Sequence, residues 1–225
     1  MRLLAPRQGA AGAYARTARP PERTPWREAG WCALDLELTG LDPSKDAIIA
    51  VGAVPIEEGR VQLGQSLYTL VRTSRPSVEA AILMHKLRVA DLADAPPLEA
   101  ALDMVLEILA GRVPVFHTAL VERSFLKPLF LRRRLRFPAA ADTEVLGRRW
   151  LRARGESGPG WLSLARLAQM LGLPQEPAHH ALGDAMTTAS TFIALATQLD
   201  RVEPQTVGSL AWADDRLRAP RRLGA

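Results

Sequence analysis

The chain of 225 residues has no uncharged apolar run of about 18 residues or more, so nothing in it is expected to span a membrane. No apolar segment follows the basic start in the manner of a secretory signal. Cysteine is reduced to Cys32, which excludes an internal disulfide and, lying in an apolar run, reads as a small core residue rather than a nucleophile. The compartment expected for such a chain is the cytoplasm. Lysine is confined to Lys45, Lys86 and Lys127, so arginine carries almost all of the positive charge. Internal repeats are absent too, which leaves one domain as the expectation. With 48% hydrophobic residues the chain can bury a substantial core. Its net charge of +5 and pI near 10.1 suit a polyanionic partner, but weakly, because arginine, alanine and leucine together are what a GC-rich genome favours.

What is present centres on Trp31 to Pro43, W-C-A-L-D-L-E-L-T-G-L-D-P. The apolar approach, the alternation and the Thr39-Gly40 break predict a buried strand ending in a turn. Side chains two apart in a strand share a face, so Asp35 and Glu37 project together from its end. Two readings fit the pair. A hard divalent cation such as Mg²⁺ between them would hold both charges; otherwise they are two ordinary acids at an exposed strand end.

Residues 1–27 place six arginines among alanine, glycine and proline, with no periodic apolar face, and read as a flexible basic tail. The folded domain is expected over residues 28–203 and a second peripheral tail over 204–225. Ala47 to Ile56 reads as a second strand and Arg60 to Val71 as a third, making an antiparallel meander. A short helix is predicted over Ser77 to Leu87, another over Leu98 to Ala110, a strand over Val113 to Phe116, and a helix over Ala119 to Arg134. Helices from Asp142-Thr143 towards Arg154, from Ser163 to Leu171 and from Ala181 to Leu199 complete the pattern. Alternating strand and helix imply parallel additions to the sheet.

Carboxylates thus stand in three separated places: Asp35 and Glu37, an acid opening the helix after Val113–Phe116, and Asp184 beside His179 at the last helix. Such groups, if they converge, suit two-metal phosphoryl chemistry, and a histidine near neutral pKa can take a proton from water. Here the sequence resembles the DEDD superfamily of 3′-to-5′ exonucleases in its histidine-bearing, DnaQ-like branch. Asp35, Glu37, Thr39 and Gly40 match the first motif, with Leu38 where most members carry threonine. His179, Ala181, Leu182, Asp184 and Ala185 match the third at every fixed position. Met84-His85-Lys86-Leu87 looks like the family's apolar-His-Gly-apolar loop with Lys86 in place of glycine, and Asp142-Thr143 matches its Asp-Thr helix opening.

In the second motif, His117, Ala119, Phe125 and Leu126 set a register that places Glu122 at the family's metal-binding aspartate, Thr118 at its asparagine and Val121 at its phenylalanine. Glutamate extends the carboxylate by one methylene, which a near-octahedral Mg²⁺ site tolerates poorly. Glu122 also reads as a helix N-terminal acid paired with Arg123 or Lys127. The short-oligonucleotide exonucleases carry an apolar residue at the position of Leu38, where the resemblance implies a wedge against bases; Leu38 could equally be a packing residue, its strand parity placing it opposite the carboxylates.

The resemblance implies a ribonuclease-H-like fold: a mixed sheet, with the antiparallel meander extended by parallel strands and flanked by helices. It implies hydrolysis of DNA or RNA from 3′ ends to nucleoside 5′-monophosphates, with two Mg²⁺ ions (Mn²⁺ as substitute) on Asp35, Glu37, Glu122 and Asp184, and His179 as general base. Leu38, Thr39, Gly40, His85 and Phe125 would meet the substrate, and a DNA polymerase is an implied partner. Two alternatives are an altered second motif that has left a binding or polymerase-accessory subunit, and an activity confined to short oligonucleotides. Trp150 and Trp161 flank Gly155 to Gly160, where they could stack on bases or pack in the core.

Overall fold

The computed structural model describes residues 8–174 and 179–212. Expectations for residues 1–7 and 213–225 lie outside the described residues. Strand β1 (Trp31–Leu38) pairs antiparallel with β2 (Ile48–Glu57), from Trp31 opposite Ile56 to Leu38 opposite Ile48. The outer side of β2 carries β3 (Arg60–Val61) and β4 (Leu67–Leu70), both antiparallel. On the other side of β1, β5 (Val113–Phe116) runs parallel to it and β6 (Ala141–Asp142) parallel to β5. The sheet therefore reads β3-β2-β1-β5-β6, with β4 also on β2. This is the mixed sheet the sequence predicts, except that the single third strand is two short ones separated by a 3₁₀ turn at Leu63–Gln65. That stretch has no alternation to bury a face, and Leu63 is exposed.

Alternation along β1 divides the core in two. Cys32, Leu34, Leu36 and Leu38 face a cluster built with α1 (Gly9–Arg16), α3 (Leu98–Leu109) and α4 (Leu120–Arg132). Trp31 and Ala33 face a second cluster built with α5 (Thr143–Ala153), α6 (Leu164–Met170) and α7 (Ala181–Asp200). Asp35 and Glu37 continue that second row, so the two carboxylates emerge on the α7 side. Each of the fully buried Trp31, Phe116, Phe130 and Phe192 contributes about 1.5–3 kcal/mol by burial. Among the described residues no helix is long and apolar enough to cross a membrane.

Within the described residues, parts of both expected tails are packed into the fold. Residues 9–16 form α1, which packs on α3, and Tyr14 is buried edge-on against Phe130 with its hydroxyl accepting from Arg19 at 2.9 Å. Trp26 is buried against Phe192. The helix ends at Arg16, before the prolines expected to interrupt it, and small residues let it approach closely. At the other end, α8 (Val207–Leu210) packs beside this segment: the Trp26 N–H donates to Gln205 O at 3.1 Å and the Val207 N–H to Thr24 O at 3.0 Å. Trp212 covers the β6 edge by exchanging backbone hydrogen bonds with Ala140.

Candidate active site

The approach of α7 to the sheet is set by Gly52, which sits opposite Asp35 in the β1–β2 pair. A Cβ at that position would lie 2.1 Å from Ala181 O, so only glycine lets the start of α7 rest there. Asp184, in the first turn of α7, is thereby brought over β1. Oxygen atoms of Asp35, Glu37 and Asp184 all lie within 4.8 Å of one another. Burial raises the Asp35 carboxyl well above its usual range, and Glu122, Asp184 and Glu37 raise it further. Burial and Asp184 push Glu37 up to about 7, and burial raises Asp184 as well. Glu37 Oε1 is buried without a hydrogen-bond donor. An all-oxygen set whose members cannot all be ionised together, one oxygen lacking any donor, fits a hard divalent cation.

Glu122 lies in the first turn of α4, where burial pushes its carboxyl up to about 8. It stands outside the group of three, bonded to its own backbone N–H, and its Oε2 is buried with no partner. The loop before it is gathered by Asp142, whose carboxylate accepts the N–H groups of Thr118 at 3.2 Å, Ala119 at 2.9 Å and Glu144 at 2.9 Å. His117 Nδ1 meets the Thr143 hydroxyl at 2.8 Å, a second tie between the end of β5 and α5.

His179 is exposed, and its backbone N–H donates to Asp184 Oδ2 at 2.9 Å. Its φ of +61° is left-handed. Its neighbour His180 caps α7, accepting the Gly183 N–H, and its ring stacks on Tyr68 at 4.6 Å. From the sequence alone His180 reads as an ordinary loop residue, and nothing there singles out Tyr68. His85, at the end of α2 (Glu79–His85), is buried beside the Leu38 backbone, and its Nδ1 accepts the Leu87 N–H at 3.0 Å.

Residues 32–192, which hold every one of these groups, match the protein family described as Exonuclease. The chain belongs to that exonuclease family. Its fold is ribonuclease-H-like. It is 32% identical over 190 residues to a DNA polymerase III subunit epsilon-like protein of Rhodobacter capsulatus, covering 83% of this chain and 26% of that protein. It is 28% identical over 180 residues to a DNA polymerase III PolC-type of Thermotoga petrophila, covering 79% and 12%. The chain thus spans only about a quarter of the first relative's length and less of the second. In fold it is similar to exonuclease X in complex with 5′ overhanging duplex DNA, with a TM-score of 0.60, 24% identity, and 80% and 97% of the two chains covered. The nuclease domain of 3′hExo bound to rAMP gives a TM-score of 0.61 at 16% identity, covering 79% and 95%.

In this exonuclease domain the residues expected to meet substrate are largely turned inward. Leu38 is buried in the core on the face away from the carboxylates. Thr39 is fully buried, its hydroxyl donating to Asp46 at 3.2 Å and accepting the Ala47 N–H at 2.9 Å. Gly40 is required because a Cβ would meet the Asp46 carboxylate at 2.5 Å. These residues build the β1–β2 turn. Phe125 is buried in the wall of a cleft on the other side of the sheet. Trp150 is in the core, whereas Trp161 is exposed.

The second-motif substitution has a backbone consequence. Thr118 adopts φ +59°, a left-handed conformation that asparagine tolerates and a β-branched residue does not. Thr118→Asn is therefore expected to stabilise the domain by about 1 kcal/mol, read as a melting-temperature rise of roughly 2–4 °C. An unchanged or lower melting temperature would show that the strain is absent.

Proposed function

We propose that this exonuclease domain hydrolyses terminal phosphodiesters of single-stranded DNA or RNA from the 3′ end, releasing nucleoside 5′-monophosphates. The observation that carries the reading is the convergence of Asp35, Glu37 and Asp184 on one point while the backbone of His179 is pinned to Asp184. Two divalent cations, Mg²⁺ or Mn²⁺, held by these three carboxylates and Glu122, would supply charge to offset that on the phosphate and a lowered pKa for bound water. His179 takes the proton of the attacking water; the new bond is water oxygen to phosphorus, the broken one phosphorus to the 3′ oxygen, which leaves with a proton from solvent. The exposed Tyr68 edge and Leu41 offer apolar surface to the terminal nucleotide. A DNA polymerase is the proposed protein partner, on the likeness to an epsilon-like protein.

The test is digestion of 5′-labelled single-stranded DNA and the matching RNA with Mg²⁺, with Mn²⁺ and with chelator. A ladder shrinking from the 3′ end is expected in metal alone, with His179→Ala slower by about 10²- to 10⁴-fold. Intact strands in every metal would overturn it. A second reading, a binding subunit on a nuclease fold, draws on Glu122 standing outside the three-carboxylate group. It expects those intact strands to be retarded in a gel. The burial of Leu38 in the core withdraws the support it lent to a short-oligonucleotide preference.

A further inference from the structure

On the face of the sheet opposite the carboxylates lies a cleft of about 290 Å³ between the β1–β2 turn, the end of β4 and α4. Its floor is apolar, with Ile48, Val71 and Leu129 buried. Its lining carries three arginines, Arg72, Arg75 and Arg132, all exposed. Arg75 is held in place by donating to the backbone carbonyls of Lys45 and Asp46. Among the described residues neither Arg72 nor Arg132 makes a side-chain ion pair. The one carboxylate in the lining, Asp46, is spent on the turn: it accepts the Thr39 hydroxyl at 3.2 Å and the Asp42 N–H at 2.8 Å. The cleft therefore presents a net positive charge over an apolar floor.

We infer that this cleft holds the phosphodiester backbone of a nucleic-acid strand, at a second site beyond the carboxylates. The inference rests on the nuclease reading above for the class of ligand. Guanidinium groups bind phosphate oxygens in pairs, and cations from two or more chain segments suit a ligand with several phosphates in series. The floor offers contact to a sugar or base without asking for a charged partner. Position supports continuity with the site. Ile48 pairs with Leu38, the residue after Glu37, and Thr39 donates to Ala47 O at 2.9 Å. The β1–β2 turn lies between the cleft and the carboxylates at the same end of the sheet, so a strand ending at Glu37 can cross that turn and lie along Arg72 and Arg132.

The test is fluorescence anisotropy of a labelled 20-nucleotide single-stranded DNA with the full chain, in chelator so that nothing is cut, across a series of NaCl concentrations. Arg72→Ala/Arg132→Ala is expected to weaken binding at least tenfold and to lower the slope of log K against log salt by about 1.4, some 0.7 for each phosphate that no longer meets an arginine. The charge-preserving Arg72→Lys/Arg132→Lys should keep the slope. An alanine variant that melts normally and keeps both affinity and slope overturns the cleft while leaving the nuclease reading intact. Weaker binding at an unchanged slope overturns it too, since removing cations that neutralise phosphates must change the salt dependence. Displacement of the 20-mer by AMP as effectively as by an unlabelled 20-mer would make the cleft a mononucleotide pocket instead. A wild-type chain that binds no strand at all overturns the inference together with the nuclease reading.

Discussion

Gly52→Ala is expected to reduce cleavage by about a hundredfold or more, and Gly52→Val to abolish it. Real Cβ atoms do not approach a carbonyl at the 2.1 Å that separates the built Cβ from Ala181 O, so α7 must lift by about 1 Å to admit even a methyl group. Asp184 rides on the first turn of that helix and is carried away from Asp35 and Glu37, and a 1 Å misplacement at a reacting centre costs about 10² in rate. Overpacking adds a destabilisation of about 1–3 kcal/mol, visible as a lower melting temperature. Gly64→Ala is the matched control, since a Cβ there meets nothing within 4 Å. Full activity in Gly52→Ala would show that this contact does not position Asp184.

Divalent cations are expected to raise the melting temperature by roughly 5–10 °C at saturating Mn²⁺ or Mg²⁺, and by more at pH 8 than at pH 6.5. Glu37, pushed to about 7, and Glu122, pushed to about 8, both have folded pKa values above their unfolded ones, as do Asp35 and Asp184. Above the ordinary carboxylate range the unfolded chain has released protons that the folded chain still holds, so stability falls as pH rises towards about 8. His117, held near 4 by burial, acts with the opposite sign, but only between about 4 and its ordinary 6.5. The decline is therefore cleanest above pH 6.5. A bound cation lets the carboxylates ionise in place, and a ligand at a hundred times its Kd stabilises by about 2.7 kcal/mol, which for a domain of this size sets the expected shift. Asp35→Asn should flatten the pH profile measured in chelator. Melting that ignores metal at both pH values would remove the cation from Asp35, Glu37 and Asp184.

The parts of the chain that were legible in advance are those where a local rule and the tertiary structure agree. The period-two alternation of β1 placed Asp35 and Glu37 on one face, and the Ser163 and Asp142 side chains cap helices where their residue types suggest. The segment around α1 was not legible, because its contribution to the core is carried by Ala11, Tyr14 and Trp26 against a background of arginine, proline and glycine. No period of large apolar residues announces it. Gly52 did leave a signal, a lone glycine inside an otherwise apolar strand, which marks a close backbone approach. The inward turn of Thr39 left none, since its hydrogen bonds to Asp46 and Ala47 depend on how the turn folds back. Motif position likewise could not show that Thr118, His179 and Lys86, at φ +59°, +61° and +61°, all bear left-handed backbone around one site.

The pairing of the two end segments has a mechanical consequence. Thr24 to Trp26 and Gln205 to Val207 are cross-linked by backbone hydrogen bonds, with Pro25 bridging Thr206. The segments run antiparallel, so a pull applied at Thr24 and Val207, which lie at the same end of the pair, opens that clasp one hydrogen bond at a time. It does not pass through β1 or α7. The carboxylates and His179 therefore lie off the path of a load applied to the two ends of the clasp.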